Sequence, residues 1–298
     1  MLASLCYRAL RTSGLLALAR RLRSDGVILC YHNVVGDRDL GLGNGLGLHM
    51  RRTDFERQVR WLAGRYELVS LDDFVARRAR GTSLRGVAAL TFDDGYAGVF
   101  DWAWPILQTV RAPATVFVVA HAPAAREAFW WDHPCIGAAG APRDEWLTTL
   151  RGDRAAILTA VGCGDGTEQV PPAIRPADWS TIAAAARLGM GIGVHSATHR
   201  ALPTLSDLEL RAELVQSRDI IARHVGVTPQ FFAYPYGRWD DRVRAAVRGA
   251  GYRAAFTLDH RSTRATDAWA LGRVNIPSGI ADAAFQAWTA GLQLKRSA

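Results

Sequence analysis

Short runs of apolar residues recur along the chain, separated by longer segments of mixed character. Runs of this length, bounded by polar or turn-forming residues, predict strands that are buried on both faces. The predicted strands are Val27–Tyr31, Val87–Phe92, Ala114–Val119, Gly191–Val194, Phe231–Tyr234, Ala254–Leu258 and Val274–Ile276. Several of them end on polar side chains of the kinds that catalysis uses.

The segments between these strands carry apolar residues at helical spacing. In the first of them, Phe55, Val59 and Leu62 fall on one face of a helix. The predicted helices are Thr53–Arg65, Val99–Val110, Ala177–Leu188, Ser206–Val225 and Asp240–Ala250, and the fourth opens on a capping-box sequence. Alternating strands and helices predict an α/β fold with a mostly parallel sheet or barrel.

The stretch from about residue 120 to residue 175 breaks this alternation, being rich in Gly, Pro and Trp and lacking a clean period. We interpret it as a long inserted connection. It holds Phe129, Trp130, Trp131 and Asp132, and long connections over a barrel mouth often carry binding residues. The aromatic rings could form a binding surface or pack the insertion onto the body, and the sequence leaves both readings open.

The segment Met1–Arg23 alternates apolar stretches with arginines. These stretches are too short for a transmembrane span or for the apolar region of a signal peptide, and no cleavage site follows. We interpret residues 1–26 as a basic amphipathic segment, with one helix over Met1–Arg23, ahead of one domain at residues 27–298. The segment could lie on an anionic membrane surface or pack against the domain. We expect a cytoplasmic protein, located at the inner membrane surface in the first case.

Composition narrows the class of protein further. The chain has 298 residues, of which 49% are hydrophobic and 21% charged, and this excludes disordered and fibrous proteins. The net charge of +8 comes almost entirely from arginine. Such a charge suits acidic partners, although a GC-rich coding sequence would give the same bias. No basic run is interleaved with aromatic residues, so we expect no nucleic-acid partner.

The cysteines give little information by their spacing. Cys6, Cys30, Cys135 and Cys163 lie far apart, and the sequence contains no C-x-x-C pair. Neither a zinc ribbon nor a disulfide framework is therefore predicted, and reduced thiols in the cytoplasm are expected. The oligomeric state has no signature in the sequence.

The first motif with chemical content is Thr91-Phe92-Asp93-Asp94-Gly95-Tyr96, directly after a predicted strand. Adjacent carboxylates repel each other, and fixing them at a strand end is reasonable if a cation neutralises one. The other carboxylate could then act as a base beside the metal ion. The alternative is a helix N-cap, for which one aspartate would suffice.

The second motif is His195-Ser196-Ala197-Thr198-His199, also directly after a predicted strand. If this segment forms a helical turn, residues four apart face the same way and two imidazoles can reach one metal ion. Together with an aspartate from the first motif, they make a ligand set that leaves positions open for water and substrate.

The third motif is Tyr234-Pro235-Tyr236-Gly237 at the end of another predicted strand. The proline fixes a turn, and the backbone N–H of Tyr236 could point at a developing oxyanion. An ordinary strand-ending turn explains this segment equally well when it is taken alone.

In combination and in this order, T-F-D-D-G, H-S-x-x-H and P-Y-G resemble the motifs of the polysaccharide deacetylase family, over roughly residues 27–277. The resemblance implies a distorted (β/α) barrel of about seven strands, with the site at the carboxyl ends of the strands. It implies a divalent metal ion, with Zn²⁺ as the expected one. The site residues that it implies are the base Asp93, the metal ligands Asp94, His195 and His199, and the oxyanion donor Tyr236.

The sequence departs from the family pattern at two points. An arginine that braces the catalytic aspartate usually stands three residues before the proline of the third motif, but Phe232 is found there. We expect Arg273 to take this part. The usual late histidine, which acts as general acid, is matched nominally by His260, whereas His32 ends the first strand. This order resembles a permuted subgroup that deacetylates poly-N-acetylglucosamine, and we therefore assign the general acid to His32.

The resemblance predicts a hydrolase that removes acetyl groups, most simply N-acetyl groups, from a glycan or a glycan precursor. The expected substrate-binding residues are Pro235, Tyr236, Trp130, Trp131 and Asp132. Two other functions remain open, an amidase with a non-carbohydrate substrate and a glycan-binding pseudoenzyme. A pseudoenzyme usually lacks a metal ligand or the catalytic base. The base and the three ligands that the resemblance implies are all present in this sequence.

Overall fold

The computed structural model describes residues 2–38, 46–138, 143–164, 166–259 and 267–293. Within these ranges the strands are β1 Val27–Tyr31, β2 Asn33–Val35, β3 His49–Arg51, β4 Glu67–Leu68, β5 Val87–Phe92, β6 Ala114–Val118, β7 Gly191–Val194, β8 Phe231–Ala233, β9 Ala254–Thr257, β10 Leu271–Gly272 and β11 Val274–Asn275. The helices are α1 Leu2–Thr12, α2 Leu15–Leu22, α3 Arg52–Ala63, α4 Leu71–Ala79, α5 Trp104–Thr109, α6 Ala122–Ala125, α7 Pro134–Ala138, α8 Arg143–Thr149, α9 Arg154–Ala160, α10 Trp179–Arg187, α11 Asp207–Arg211, α12 Ser217–Val225, α13 Asp241–Gly249 and α14 Asp282–Thr289. Two π-helical stretches, Val99–Ala103 and Ala212–Gln216, run directly into α5 and α12.

The main sheet follows the order β10-β9-β8-β7-β6-β5-β1-β11, with every neighbouring pair parallel and β4 added beside β5. The chain passes from β10, which pairs with β9, through Arg273 to β11, which pairs with β1. This short run joins the two ends of the strand order. The sheet is thus nearly closed into a barrel with helices around it, which confirms the predicted fold.

The predicted strands are all present, with bounds that agree to within one residue. The physical reason is their burial, since β1, β5 and β6 are buried along their whole length. A strand covered on both faces has no polar face, and it therefore reads as a continuous apolar run. The short strands β2, β3, β4 and β10 were not predicted, because two or three residues carry no usable periodicity.

The predicted helices are present as well, with two local differences. The segments Val99–Val110 and Ser206–Val225 each contain one of the π-helical stretches. The capping box is formed as predicted, since Ser206 accepts a hydrogen bond from the Glu209 backbone and the Glu209 side chain accepts one from the Ser206 backbone. The connection between β6 and α10 is indeed long, and it contains the short helices α6 to α9.

The N-terminal segment forms two helices, where the sequence predicted one. Gly14 adopts a left-handed conformation with φ of 78°, and this residue separates α1 from α2. One side of the pair packs on α14, where Tyr7 and Leu16 are buried against Ala287 and the Trp288 indole donates a hydrogen bond of 2.9 Å to the Tyr7 hydroxyl. None of the described helices combines the length and the apolar content needed to cross a membrane.

Candidate active site

Polar residues follow the barrel strands at one face of the sheet. His32 comes directly after β1, Asp93 and Asp94 after β5, and His195 after β7. Because these strands are parallel, their carboxyl ends open at the same face. The side chains line one cavity of about 200 Å³. The structure thus brings together residues that are separated by more than half of the chain.

Asp93 is held by a buried arginine. The two terminal nitrogens of Arg273 donate to the two carboxylate oxygens of Asp93, each at 2.6 Å. Arg273 is fully buried, and it also donates to the Thr91 hydroxyl at 3.1 Å. The expected contact between Arg273 and Asp93 is therefore present, in the two-point geometry that an arginine fork favours.

The charge around Asp93 keeps this carboxyl ionised. Burial alone would raise its pKa, but the positive charge of Arg273 and the neighbouring His195 outweigh burial and lower the pKa below the ordinary value. The Cys30 thiol donates to the same carboxylate at 3.4 Å. Asp93 is consequently a fixed anion with restricted freedom to rotate.

Asp94, His195 and His199 converge on one point. The Asp94 Oδ1 atom lies 3.4 Å from His195 Nε2 and 3.3 Å from His199 Nε2, and the two nitrogens are 3.1 Å apart. All three side chains are buried. Burial opposes ionisation of Asp94, but the two histidines beside it outweigh burial and lower the pKa of the carboxyl. Asp94 is thus a permanent negative charge between two imidazoles.

The segment between the two histidines is not a helical turn, and this part of the prediction was wrong. Ser196 and His199 have positive φ angles of 66° and 62°, which a helix does not allow. The turn is closed by the backbone N–H of His199, which donates to the Ser196 hydroxyl at 2.9 Å. The histidines therefore meet through a left-handed turn, a strained conformation of a kind that concentrates at functional sites.

A buried glutamate stabilises this turn. Glu213 accepts hydrogen bonds from the backbone N–H groups of Ala197 and Thr198 at 2.8 and 2.9 Å, and from the Thr198 hydroxyl. Sequence reasoning missed Glu213. A signal was available in the spacing, since Glu213 falls three residues after Leu210 and directly before Leu214, on the apolar face of a predicted helix.

His32 enters the same cavity from β1. Its side chain is partly exposed there, and its electrostatic neighbours are Asp94, Asp93, Arg273 and His195. Burial lowers the pKa of His32, while the two aspartates act in the opposite direction. The other candidate acid, His260, lies outside the described residues.

The inserted connection supplies one wall of the cavity. Trp131 lines the cavity, and its ring centroid lies 4.6 Å from that of His199. Phe129 stacks on Trp131 at 4.7 Å, and the Trp130 indole donates to the Tyr236 hydroxyl at 3.1 Å. Phe129 and Trp130 are buried and hold the wall in place, which corresponds to the packing reading of this cluster.

Asp132 and Pro235, which we expected to bind substrate, are also buried. Neither of them is one of the described residues that line the cavity. Asp132 accepts hydrogen bonds from the Tyr96 hydroxyl at 2.5 Å and from His49 at 2.9 Å. Tyr96 in turn accepts one from the Trp131 indole at 2.8 Å. The structure thus places Asp132 behind the wall, where it supports Trp131 through Tyr96.

Tyr236 is the residue of the third motif that reaches the cavity. It has a positive φ of 59°, within a turn that the N–H groups of Gly237 and Arg238 close on the carbonyls of Tyr234 and Pro235. This conformation is uncommon for a residue with a side chain. Asp94, whose φ is 72°, and His199 share this conformation and also line the cavity, and Ser196 shares it in the turn between the two histidines.

The cluster of Asp94, His195 and His199 fits a divalent transition-metal ion. The Nδ1 atom of His195 lies 2.8 Å from the Ala233 carbonyl, which can only accept a hydrogen bond, so Nε2 is left with its lone pair toward Asp94 and His199. One carboxylate and two imidazoles are ligand types that Zn²⁺ and similar ions prefer. The three ligand atoms of this cluster lie close enough to one another to hold one such ion.

Comparison with known proteins identifies the class. A sequence model of the family described as polysaccharide deacetylase matches residues 80–255, more than half of the chain. The chain belongs to the polysaccharide deacetylase family. This confirms the resemblance that the three motifs indicated.

Individual relatives have either low identity to this chain or a match over only a short part of it. The Bacillus subtilis protein YxkH is 20% identical over 264 residues, which cover 88% of this chain and 75% of that protein. Chitin deacetylase 1 of Cryptococcus neoformans is 44% identical over 63 residues, which are 21% of this chain and only 13% of the fungal protein. The match thus spans a small part of the fungal enzyme.

Two solved structures share the fold over nearly their whole length. IcaB from Ammonifex degensii superposes with a TM-score of 0.62 at 20% identity, covering 90% of this chain and 98% of that one. The Streptococcus pyogenes deacetylase PplD, in complex with acetate, superposes with a TM-score of 0.61 at 17% identity. The match covers 86% of this chain and 94% of that one. At such identities these likenesses show the common barrel.

Proposed function

We propose that this polysaccharide deacetylase is a metal-dependent hydrolase that removes N-acetyl groups from a glycan or a glycan precursor. The observation that carries the proposal is the pairing of two carboxylates with opposite partners. Asp93 is fixed by Arg273, whereas its neighbour Asp94 faces His195 and His199. One carboxylate is thus arranged as a base and the other as a metal ligand.

In this proposal Asp94, His195 and His199 hold the ion. A divalent metal ion bound there supplies Lewis acidity for the acetyl carbonyl and lowers the pKa of water. Asp93 takes the proton from the attacking water, and its ion pair with Arg273 keeps it both ionised and oriented. The backbone N–H of Tyr236 donates to the oxygen on which negative charge develops.

The leaving amine needs a proton, and His32 is the group that we assign to deliver it. It lies in the same cavity as Asp93 and Asp94, at the end of the neighbouring strand β1. The products are acetate and a free amine on the sugar. Trp131 is only 3% exposed, but it lines the cavity beside the proposed metal ligands, and aromatic rings in such a position suit the apolar side of a sugar ring.

The function is tested by acetate release from a panel of acetylated saccharides and N-acetyl amides, with and without a chelator. We expect release from N-acetylglucosamine oligomers, loss of that release with chelator and recovery on adding Zn²⁺. Activity confined to non-carbohydrate amides would favour the amidase function. Binding without any acetate release would favour the pseudoenzyme.

We predict that Arg273→Met shifts the pH dependence of the reaction. The positive charge of Arg273 is the main influence that lowers the pKa of Asp93 against its burial, so its removal raises that pKa. The acid limb of the kcat/KM profile should then move to higher pH, whereas Arg273→Lys should move it less. Breaking a buried ion pair should also lower the stability by about 3–5 kcal/mol.

The control for this prediction is Arg253→Met, which removes an arginine from an exposed ion pair with Asp72. It should leave both the profile and the melting temperature nearly unchanged, because exposed pairs contribute little. An acid limb that stays in place in Arg273→Met would show that Arg273 does not set the protonation of Asp93.

The location of the enzyme is a separate proposal, which rests on the outer side of α1 and α2. Four leucines are exposed there, and the exposed arginines Arg8, Arg11 and Arg21 lie on the same two helices. The exposed leucines are Leu5, Leu15, Leu18 and Leu22. Exposed leucines beside arginines are the combination that binds the surface of an anionic membrane. We propose that this face rests on the cytoplasmic side of the membrane.

We predict that the protein co-sediments with vesicles containing phosphatidylglycerol and much less with phosphatidylcholine alone. The triple change of Leu15, Leu18 and Leu22 to Ser should weaken binding by about tenfold or more, since each leucine loses apolar burial. The matched control is Leu188→Ser with Leu208→Ser, two exposed leucines elsewhere. Equal binding by both variants would contradict the assigned face.

A further inference from the structure

Three metal-binding side chains lie together outside the candidate active site. A ring nitrogen of His133 and the sulfur atoms of Cys135 and Cys163 all lie within 4.8 Å of one another. His133 and Cys135 stand at the start of α7, and Cys163 follows the end of α9. The cluster thus connects two parts of the inserted connection that are far apart in sequence.

The histidine of this cluster is tightly positioned. His133 is buried, and its backbone N–H donates to the Trp130 carbonyl at 3.2 Å. Its ring lies against Gly166, where a Cβ atom would come within 2.3 Å of the ring nitrogen Nε2. Gly166 also has a positive φ of 58°. Both this conformation and the contact with His133 therefore disfavour a larger residue at position 166. The ring therefore has little freedom to turn away.

The two cysteines approach the ring from different elements. The backbone N–H of Cys135 donates to His133 Nδ1 at 3.3 Å, which keeps the cysteine beside the ring. The backbone N–H of Cys163 donates to the Leu158 carbonyl at 2.9 Å, and this bond turns the chain back after α9. Cys135 is exposed and Cys163 is partly exposed, so a metal ion can reach both sulfur atoms from solvent.

We propose that His133, Cys135 and Cys163 form a second metal site, which binds Zn²⁺ or a similar thiophilic divalent ion. When the ion binds Nδ1 of His133, it replaces the long hydrogen bond that this nitrogen accepts from the Cys135 backbone. Two thiolates and one imidazole are a common ligand set for tetrahedral zinc, with water or another group in the fourth position. The set differs in kind from the carboxylate and two imidazoles of the active site, because thiolates select softer ions.

The second site has a structural role. It cross-links the beginning and the end of the segment between α7 and α9, and His133 lies two residues after Trp131, which lines the active-site cavity. An ion at the cluster therefore fixes the wall against which substrate binds. Because the metal-free chain must order this surface segment without the cross-link, we expect loss of the ion to lower the melting temperature.

The test uses the full chain and measures metal content and cobalt absorption. Cys135→Ser and Cys163→Ser should each lose one equivalent of bound metal relative to the unaltered protein, whereas the matched control Cys6→Ser, an exposed cysteine elsewhere, should lose none. With Co²⁺ in place of Zn²⁺, the protein should show the near-ultraviolet band of cobalt–thiolate charge transfer. Asp94→Ala should keep this band, and the cysteine variants should lose it.

A further measurement covers the case in which a cysteine variant does not fold. In the unaltered protein, Zn²⁺ should protect Cys135 and Cys163, but not Cys6, from alkylation by iodoacetamide. The proposal is overturned if the metal content of the cysteine variants is unchanged and no thiolate band forms. It is also overturned if two thiols appear only after reduction, since that result would mean a disulfide. None of these readouts depends on deacetylase activity, so failure here leaves the proposed function untouched.

Discussion

Asp93→Asn is expected to keep its metal ion and to lose turnover by roughly a hundredfold to ten-thousandfold, the range of a positioned general base. The reason lies in the different partners of the two adjacent aspartates. Asp93 is bound by Arg273, and an amide of the same shape cannot accept a proton from water. The metal ligands are untouched by this change, and metal content measured beside kcat should therefore separate the two effects.

The matched changes are Asp94→Ala, His195→Ala and His199→Ala. Each removes one of three converging ligand atoms, and each should lower metal content and activity together. Asp144→Asn, at the rim of the cavity, removes a carboxylate without touching either group and should have little effect. Near-normal turnover of Asp93→Asn with metal bound would show that another group is the base.

The barrel and its strand ends could be predicted from the sequence because burial leaves a direct trace in composition. The strands of the barrel wall are apolar along their length, and the first polar residues after them must lie at one face. This argument places His32, Asp93 and His195 at the ends of their strands, whereas the family resemblance supplied the barrel and the roles of these residues. It gave no information on β2 and β3, which pair only with each other.

Arg273 and His32 show what a local motif cannot supply. Both lie outside the matched residues 80–255, one before and one after them. They reach the site because β1 and the run from β10 to β11 close the barrel beside β5. Arg273 could be proposed from its place before a predicted strand, but its two-point contact with Asp93 depends on that closure.

The turn between His195 and His199 was beyond sequence reasoning. A spacing of four residues is typical of a helix, and no residue type in this segment indicates the positive φ angles of Ser196 and His199. The conformation is imposed from outside, by Glu213 from the following helix. The cluster of His133, Cys135 and Cys163 was not predicted for a related reason. Cys135 and Cys163 come close to each other only when the inserted connection folds back on itself.

His32→Ala is the second change for which we expect a large effect, a loss of turnover on the order of a hundredfold with N-acetyl substrates. His32 lies in the cavity and groups with Cys30 and Asp93, not with the three proposed ligands Asp94, His195 and His199, so the metal content should be unchanged. Burial lowers the pKa of His32, and the protonated form is lost as the pH rises through that value. The basic limb of the pH profile should therefore disappear in the variant.

The choice of leaving group separates this role from mere packing. The leaving group of an activated acetate ester departs without protonation. His32→Ala should therefore recover most of its rate on such an ester while remaining slow on the amide. His260→Ala is the comparison, and it should have little effect on either substrate. Equal losses on amide and ester, or a larger loss from His260→Ala, would move the general acid away from His32. Recovery confined to the ester would instead locate the missing proton at the departing amine, where His32 follows the first strand of the barrel.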